Sequence, residues 1–229
     1  MKPYQKVPIQ DCGEALMPIP LEQFSVVSPH PYQSLGAPYG DRTPYFLRQG
    51  VLTQLIQAQK FLQTKAPGWQ LEIFDAYRPI PVQQFMVDHT LAQLAEAEGL
   101  KINELTAAER SRLHTQVITF WAVPSPNPAT PPPHSTGAAI DLTLCDAQGT
   151  PVDMGSPIDE ISPRSYPNHF ASDPSPHAKS AHRHRSLLTE VMVGAGFRQH
   201  PNEWWHFSLG DQLWALQKGE GAIARYGSA

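Results

Sequence analysis

Two short segments of the chain combine side chains that bind metal ions with a carboxylate suited to acid–base chemistry. One runs from His134 to Asp141 and the other from Glu203 to His206. A hydrolytic zinc site takes three protein ligands, usually His nitrogens or carboxylate oxygens, and keeps one position open for water. His134, Asp141 and His206 would supply such a set, and Glu203 could act on the bound water as a general base. Packed or solvated roles for these residues are the alternative interpretation, because short motifs also occur without function.

A third segment, from Phe74 to Pro79, places an arginine at the end of a predicted strand. Pro79 keeps Arg78 out of a helical conformation and so fixes the direction of the chain. The Arg78 guanidinium could donate hydrogen bonds to the oxyanion that forms when water attacks a carbonyl. A structural salt bridge with Asp75 or another carboxylate is the second interpretation, and the residue pattern alone favours it.

The elements of the first half follow from the spacing of apolar residues. Residues 1–44 are rich in Pro, Gly and Tyr, which predicts extended segments and turns. Beyond them the pattern alternates between helical and strand periodicity. The expected elements are a helix over Tyr45 to about Lys65, a strand over Gln70 to Asp75, a helix over Pro81 to about Glu98 and a helix from about Thr106.

A proline-rich stretch over residues 122–133 predicts a stiff loop that leads directly to His134. In the strand that follows, Asp141 alternates with Ile140 and Leu142, so its side chain can point into a cleft while theirs pack in the core. The expected elements of this half are a strand over residues 138–144, a helix over about Ala178 to Val193, a strand over Trp204 to Leu209 and a helix over Asp211 to Gln217.

Short strands separated by helices and long loops predict an α+β fold with a small, mainly antiparallel central sheet flanked by helices. A parallel α/β sheet is the competing prediction, but the regular βαβ rhythm is missing. With 229 residues, 41% of them hydrophobic, the chain is expected to form a single domain over residues 1–229. Residues 1–44 are expected to pack on it as an extended N-terminal segment.

The net charge and the distribution of lysine and arginine bear on which partners the chain can bind. The formal net charge is -4 and no Lys/Arg run stands out, which argues against nucleic-acid binding. The one cationic cluster, from His182 to Arg185, is expected to form the solvated face of a helix.

No apolar run is long enough to cross a membrane and no secretory signal is present, so the protein is expected to be cytoplasmic. In that compartment Cys12 and Cys145 are expected to be free thiols. The sequence predicts no oligomeric state.

Taken together, the three segments resemble the VanX-type D-Ala-D-Ala dipeptidases, in the superfamily of zinc D-alanyl-D-alanine carboxypeptidases and hedgehog signalling domains. The resemblance implies a central antiparallel sheet flanked by helices, with a zinc site at one face. It also implies one zinc ion, held by His134, Asp141 and His206. The matching positions are Asp75, Arg78 and Pro79, then His134, Gly137, Ala139 and Asp141, and finally Glu203 and His206.

The same resemblance implies roles for three further residues and a small dipeptide as substrate. Glu203 becomes the general base and then the acid that protonates the leaving amine. Arg78 polarises the scissile carbonyl and stabilises the tetrahedral intermediate. Asp159 ends a stretch that is similar to one in the family, where the final carboxylate contacts the free ammonium of the dipeptide.

One departure from the family pattern concerns the substrate carboxylate. The family has a Ser two residues before the first zinc-binding His, and this chain has Pro132. Ser135 or another loop donor could take its place. The alternative functions are a D,D-carboxypeptidase or an L,D-endopeptidase acting on muropeptides, and a non-catalytic zinc-bearing binding module. Glu203 and Arg78 argue against the last, because a structural zinc site needs neither a base nor an oxyanion donor.

Overall fold

The computed structural model describes residues 2–229. The strands are β1 (Leu16–Pro18), β2 (Ser25–Val26), β3 (Phe46–Arg48), β4 (Gln70–Asp75), β5 (Ala139–Cys145), β6 (Arg198–Gln199) and β7 (His206–Ser208). Five of them form one sheet in the order β2–β4–β5–β7–β6, where β2 runs parallel to β4 and all other neighbours are antiparallel. The predicted α+β fold with a small, mainly antiparallel sheet is therefore confirmed. A separate two-stranded sheet pairs β1 with β3.

Helices flank the central sheet. The helices are α1 (Pro31–Ser34), α2 (Gln49–Lys65), α3 (Ile80–Ala97), α4 (Ala107–Phe120), α5 (Pro176–Gly194) and α6 (Gln212–Lys218). Helices α2 and α5 pack against each other and against the sheet, and Leu55, Leu142 and Leu188 lie in the shared core. Helices α3 and α4 form a second apolar cluster together with Tyr32 and Tyr39 from the N-terminal segment. Apolar burial of this kind is the main stabilising contribution to the fold.

Local capping explains where two of the helices begin. At α4, the Thr106 hydroxyl accepts from the Glu109 backbone N–H, and the Glu109 carboxylate accepts from the Thr106 backbone N–H. At α5, Ser175 caps the helix and Pro176 occupies its first position, so the helix starts before the predicted Ala178.

The predicted helix from Tyr45 is wrong in its first residues. Phe46–Arg48 form β3, and α2 begins only at Gln49. Pairing with β1 outweighs the helical periodicity of the sequence here, because cross-strand packing decides short segments. The buried Arg48 also donates through Nε to Thr136 O at 2.8 Å. This bond ties β3 to the turn that precedes β5.

The prediction that His182 to Arg185 form a solvated face of the helix is wrong for Arg185. Arg185 is 1% exposed. Its guanidinium donates to the carbonyl oxygens of Met154, Arg164 and Tyr166. Arg185 therefore holds the loop after β5 onto α5, because buried guanidinium donors must find acceptors.

The prediction that both cysteines are free thiols agrees with the structure. Cys12 is exposed and Cys145 is buried, and both are free thiols. Within residues 2–229, no helix combines the length and the apolar character needed to cross a bilayer.

Candidate active site

The sheet register places three polar residues in one row. Asp75 of β4 lies opposite Asp141 of β5, and Asp141 lies opposite His206 of β7. Residues directly opposite one another on neighbouring strands share a face of the sheet. Ile140 and Phe207, which point the other way, pack in the core. The ladder therefore delivers two carboxylates and one imidazole to the same face.

His134 reaches this face from the turn that precedes β5. It lies in the 3-10 helix Pro133–Thr136, which ends at Gly137 in the left-handed conformation with φ 71°. This positive φ favours glycine, and a Cβ at Gly137 would also lie 2.3 Å from Leu16 Cδ2 of β1. The His134 Nδ1 lies 2.7 Å from the Ala76 carbonyl oxygen, which fixes the orientation of the ring.

The structure brings the three predicted metal-ligating residues together. One donor atom from each of His134, Asp141 and His206 lies within 4.8 Å of the others. His134 Nε2 is 3.1 Å from His206 Nδ1 and 3.2 Å from Asp141 Oδ2. His206 Nδ1 is 3.0 Å from Asp141 Oδ1. All three side chains are buried, so the cluster is shielded from bulk water.

Hydrogen bonds on the far side of each imidazole set its tautomer. A carbonyl oxygen can only accept, so His134 Nδ1 carries the proton towards Ala76 and Nε2 presents a lone pair. Ser208 Oγ donates to Asp211 Oδ2 at 2.8 Å and can therefore accept from His206 Nε2 at 3.3 Å. His206 Nδ1 is then left with a lone pair. Two lone pairs and a carboxylate face one another, and this donor set fits a zinc ion.

Glu203 lies beside the donor set without belonging to it. Its Oε2 is 3.7 Å from His206 Nδ1, and its Oε1 is 3.4 Å from His200 Nδ1. Within the described part of the chain, the buried Oε1 has no hydrogen-bond partner. Burial, and then the negative charge of Asp141, raise the pKa of Glu203 well above its ordinary value. A carboxylate in this position is suited to accept a proton and return it.

The two interpretations of Arg78 are both present in the structure. Its Nε donates to Asp75 Oδ2 at 2.9 Å, which is the expected salt bridge. Its Nη2 donates to Asp141 Oδ2 at 3.1 Å, so the same guanidinium also reaches the candidate metal site. The rings of Tyr32 and Trp121 lie 4.9 Å and 5.0 Å from the guanidinium carbon. Contacts on several sides hold Arg78 in a single orientation at the edge of the cleft.

Asp75 anchors this arginine and is itself anchored by residues that the sequence analysis missed. His30 Nε2 lies 3.2 Å from Asp75 Oδ1, and Tyr39 donates its hydroxyl to the same oxygen at 2.9 Å. Burial opposes ionisation of Asp75, but Arg78 and His30 outweigh it and lower the pKa of the carboxyl. His30 and Tyr39 lie in the N-terminal segment, where no periodicity pointed to them.

Asp159 lies in the loop after β5 and lines the same cleft. Its backbone adopts φ 65°, a left-handed conformation that is uncommon for a residue other than glycine. Tyr32 donates its hydroxyl to Asp159 Oδ2 at 2.7 Å. Burial, followed by the charge of Asp141, raises the pKa of Asp159 to about 7. Its carboxylate would gain from a cationic partner in the cleft.

The cleft is small, with a cavity volume of about 40 Å³. The predicted site residues and Trp121 line it. Lys2 and Tyr4 from the N-terminal segment also line it, and no sequence signal indicated them. A cleft of this size suits a small ligand better than an extended chain.

The position of the missing family serine offers no donor. Pro132 has no side-chain donor, and it does not line the cleft. The proposed substitute Ser135 is buried and donates its hydroxyl to the Arg78 carbonyl oxygen at 2.7 Å. Ser135 therefore supports the backbone of Arg78, and the expectation that its hydroxyl donates to the substrate carboxylate is wrong.

Comparison with known proteins identifies relatives over most of the chain. The D-ala-D-ala dipeptidase family model matches residues 25–221. A D-alanyl-D-alanine dipeptidase from Synechocystis sp. is 52% identical over 223 residues, covering 95% of this chain and 90% of the relative. The Escherichia coli D-alanyl-D-alanine dipeptidase is 32% identical over 71% of this chain and 66% of its own length. The Enterococcus faecalis D-alanyl-D-alanine dipeptidase is 31% identical over 72% of this chain and 73% of its own.

Solved structures resemble the chain more distantly. A mutant of the vancomycin-resistance D,D-pentapeptidase VanY in complex with Zn(II) gives a TM-score of 0.47 at 17% identity, covering 76% of this chain and 77% of its own. The LdcB LD-carboxypeptidase gives a TM-score of 0.46 at 12% identity, covering 96% of this chain and 78% of its own. Likenesses at this level carry no argument about activity.

Proposed function

The chain belongs to the D-ala-D-ala dipeptidase family, and we propose that it hydrolyses the free dipeptide D-alanyl-D-alanine to two molecules of D-alanine, using one zinc ion. The observation that carries this proposal is the cluster of His134, Asp141 and His206, whose donor atoms face one another within 4.8 Å. Next to it lies a buried carboxylate, Glu203, with an unpaired oxygen. Such a pairing is what metal-assisted hydrolysis of an amide needs.

His134, Asp141 and His206 would hold the zinc ion. When bound there, zinc supplies Lewis-acid chemistry, which lowers the pKa of a bound water and polarises a carbonyl. The hydrogen bonds from His134 to Ala76 and from His206 to Ser208 fix the tautomers and the orientation of both imidazoles as ligands.

Glu203 takes a proton from the attacking water and then delivers it to the nitrogen of the leaving D-alanine. Its buried position removes competing water, and its free oxygen leaves room for the exchange. Because burial raises the pKa of Glu203, the carboxyl can hold the proton between the two transfers.

Arg78 stabilises the negative charge that develops on the scissile carbonyl oxygen. Asp75, together with the rings of Tyr32 and Trp121, fixes the guanidinium before substrate arrives. A preorganised donor of this kind acts on the transition state, because no reorientation is needed during the reaction.

Asp159 selects substrates with a free N-terminus. Its carboxylate, already bonded to Tyr32, would pair with the ammonium of the dipeptide. A D,D-carboxypeptidase or L,D-endopeptidase acting on muropeptides has no such requirement, because its substrates continue beyond this position. The non-catalytic alternative is not supported, since the relatives reported above are dipeptidases.

The test compares D-Ala-D-Ala, N-acetyl-D-Ala-D-Ala and a pentapeptide ending in D-Ala-D-Ala on one zinc-loaded preparation, with and without a chelator. We expect kcat/KM for the free dipeptide to exceed that for the other two by about a hundredfold or more, since charged hydrogen bonds of this kind are worth ~1.5–3 kcal/mol and the longer substrates also clash. Equal rates on free and acetylated dipeptide would favour the carboxypeptidase. Turnover that survives full removal of the metal would refute zinc dependence.

A further inference from the structure

The cleft contains a cationic side chain to which the proposed reaction gives no role. Of the lysine and arginine side chains among the described residues, Arg78 and Lys2 line the cleft. Arg78 pairs with the carboxylates of Asp75 and Asp141, and the proposed reaction already assigns it to the scissile carbonyl oxygen. The Lys2 ammonium donates to the Trp121 carbonyl oxygen at 3.2 Å, and no carboxylate among residues 2–229 is its ion-pair partner.

The segment that carries Lys2 is held in place by contacts on both of its sides. The Lys2 backbone N–H donates to Gln5 Oε1 at 2.8 Å, and Tyr4 is buried. The 3-10 helix Pro3–Lys6 packs against α6, where Gln212 Nε2 donates to the Val7 carbonyl oxygen at 2.7 Å. Lys2 therefore has a defined place at the cleft and does not need to be recruited from solvent.

The charged side chains that line the cleft include groups of both signs. Lys2 lines the cleft together with Glu203, the proposed general base. Asp159 lines it too and accepts from the Tyr32 hydroxyl, which lies next to Arg78. A negative side chain and a positive one, Asp159 and Lys2, therefore line the cleft that contains the candidate metal site.

This arrangement matches the charges of a dipeptide. The leaving nitrogen, which Glu203 protonates, is bonded to the carbon that carries the C-terminal carboxylate. A substrate with its ammonium at Asp159 and its leaving nitrogen at Glu203 must therefore place its carboxylate in the same cleft, where Lys2 is the lining cation without a carboxylate partner among residues 2–229. Without a cation there, the carboxylate would face the negative charges of Glu203 and Asp141.

We infer that Lys2 binds the C-terminal carboxylate of the dipeptide and so determines specificity for a free C-terminus, an inference that rests on the proposed dipeptidase function. It supplies the contact that neither Pro132 nor Ser135 can make. Together, Asp159 and Lys2 would supply one partner for each charge of a zwitterionic dipeptide.

The experiment compares D-Ala-D-Ala with its C-terminal amide on zinc-loaded wild type, Lys2→Gln, Lys2→Arg and Lys6→Gln. Lys6 lies on the same 3-10 helix but is exposed, so it controls for charge alone. In Lys2→Gln we expect KM for the free dipeptide to rise about tenfold or more, as for a lost charged hydrogen bond, with kcat less affected. KM for the amide should stay unchanged, Lys2→Arg should largely restore binding, and Lys6→Gln should match wild type.

An equal rise in KM for both compounds, or no rise for either, would overturn the role of Lys2 while leaving the dipeptidase function intact. A second measurement distinguishes failure of the proposed function from failure of the Lys2 contact. It is calorimetric binding of the free dipeptide and of its amide to zinc-loaded Glu203→Gln protein, with and without the Lys2→Gln substitution. If wild type fails to cleave the dipeptide but binds it with a preference over the amide that needs Lys2, the proposed function fails and the Lys2 contact stands. Absence of any binding would overturn both.

Discussion

The two ends of the cleft are built in different ways. The metal end rests on paired strands, where Asp141 and His206 lie opposite each other in the ladder and each imidazole has a fixed hydrogen-bond partner. The proposed substrate contacts, here called the substrate end, come from a loop and from the N-terminal segment, which supply Asp159 and Lys2. A paired ladder fixes atoms to within the tolerance that metal coordination needs, whereas loops allow contacts to substrate to differ between relatives.

The largest expected effect comes from a substitution at the metal end of the cleft. His206→Ala removes one of three ligands, so we expect the protein to lose its zinc and its activity to fall by about a thousandfold or more, since the metal supplies several kcal/mol of transition-state stabilisation. Elemental analysis and turnover of D-Ala-D-Ala measure both effects. His114→Ala, an exposed histidine on α4, serves as control and should keep full zinc. Unchanged zinc content in His206→Ala would rule out the ligand set.

The next effect separates chemistry from metal binding at the same end. Glu203→Gln keeps the shape of the side chain but cannot take a proton, so kcat should fall by about a hundred- to ten-thousandfold. Zinc content should remain at the wild-type level, because Glu203 is not part of the donor set. Near-normal turnover would remove Glu203 from the mechanism, and loss of zinc would make it a ligand.

Arg78 donates to Asp141 at the metal end and to Tyr32, which bonds Asp159. Substitution of Arg78 should lower kcat. Arg78→Lys retains the charge beside Asp75 and Asp141 but loses the fixed guanidinium, so kcat should fall by about a hundredfold, as for loss of one oxyanion donor. Alanine would be a poorer choice, because two buried carboxylates left unpaired cost about 3–5 kcal/mol of stability. Thermal unfolding checks that Arg78→Lys stays folded. A raised KM with unchanged kcat would assign Arg78 to uniform binding instead.

The smallest effect belongs to the substrate end. Asp159→Asn should reduce the preference for D-Ala-D-Ala over its N-acetyl form by about tenfold, mainly by harming the free dipeptide, since one charged hydrogen bond is lost. Asp153→Asn, an exposed residue of the same loop, should leave the preference as it is. Steady-state kinetics on both substrates is the measurement. A preference that survives in Asp159→Asn would place ammonium recognition elsewhere.

The sequence predicted the metal end of the cleft better than the substrate end, and the reason is physical. Strand alternation was enough to place Asp141 on the face opposite Ile140, and the ladder then aligned it with His206. Lys2 and His30 belong to the N-terminal segment, which carries no periodicity. Their positions depend on long-range packing that short sequence patterns do not encode.

The errors in the fold have the same origin. Phe46–Arg48 continued a helical pattern but became β3, because β1 was available to pair with it. Strands β2 and β6 are two residues long, too short for any alternation to reveal them. Strand β7 covers only His206–Ser208 of the predicted Trp204 to Leu209, although Trp205 O still accepts from Leu142 N. Tertiary pairing decided each of these cases.

The most direct test of the central claim is a zinc titration of metal-free protein, followed by the release of D-alanine from D-Ala-D-Ala. Among residues 2–229, the structure places a single set of three converging donor atoms in the cleft, formed by His134, Asp141 and His206. We therefore predict that activity is absent without metal, rises in proportion to added zinc and reaches its plateau at one zinc per chain. Full activity in the metal-free protein, or a plateau that requires a second zinc per chain, would contradict the account.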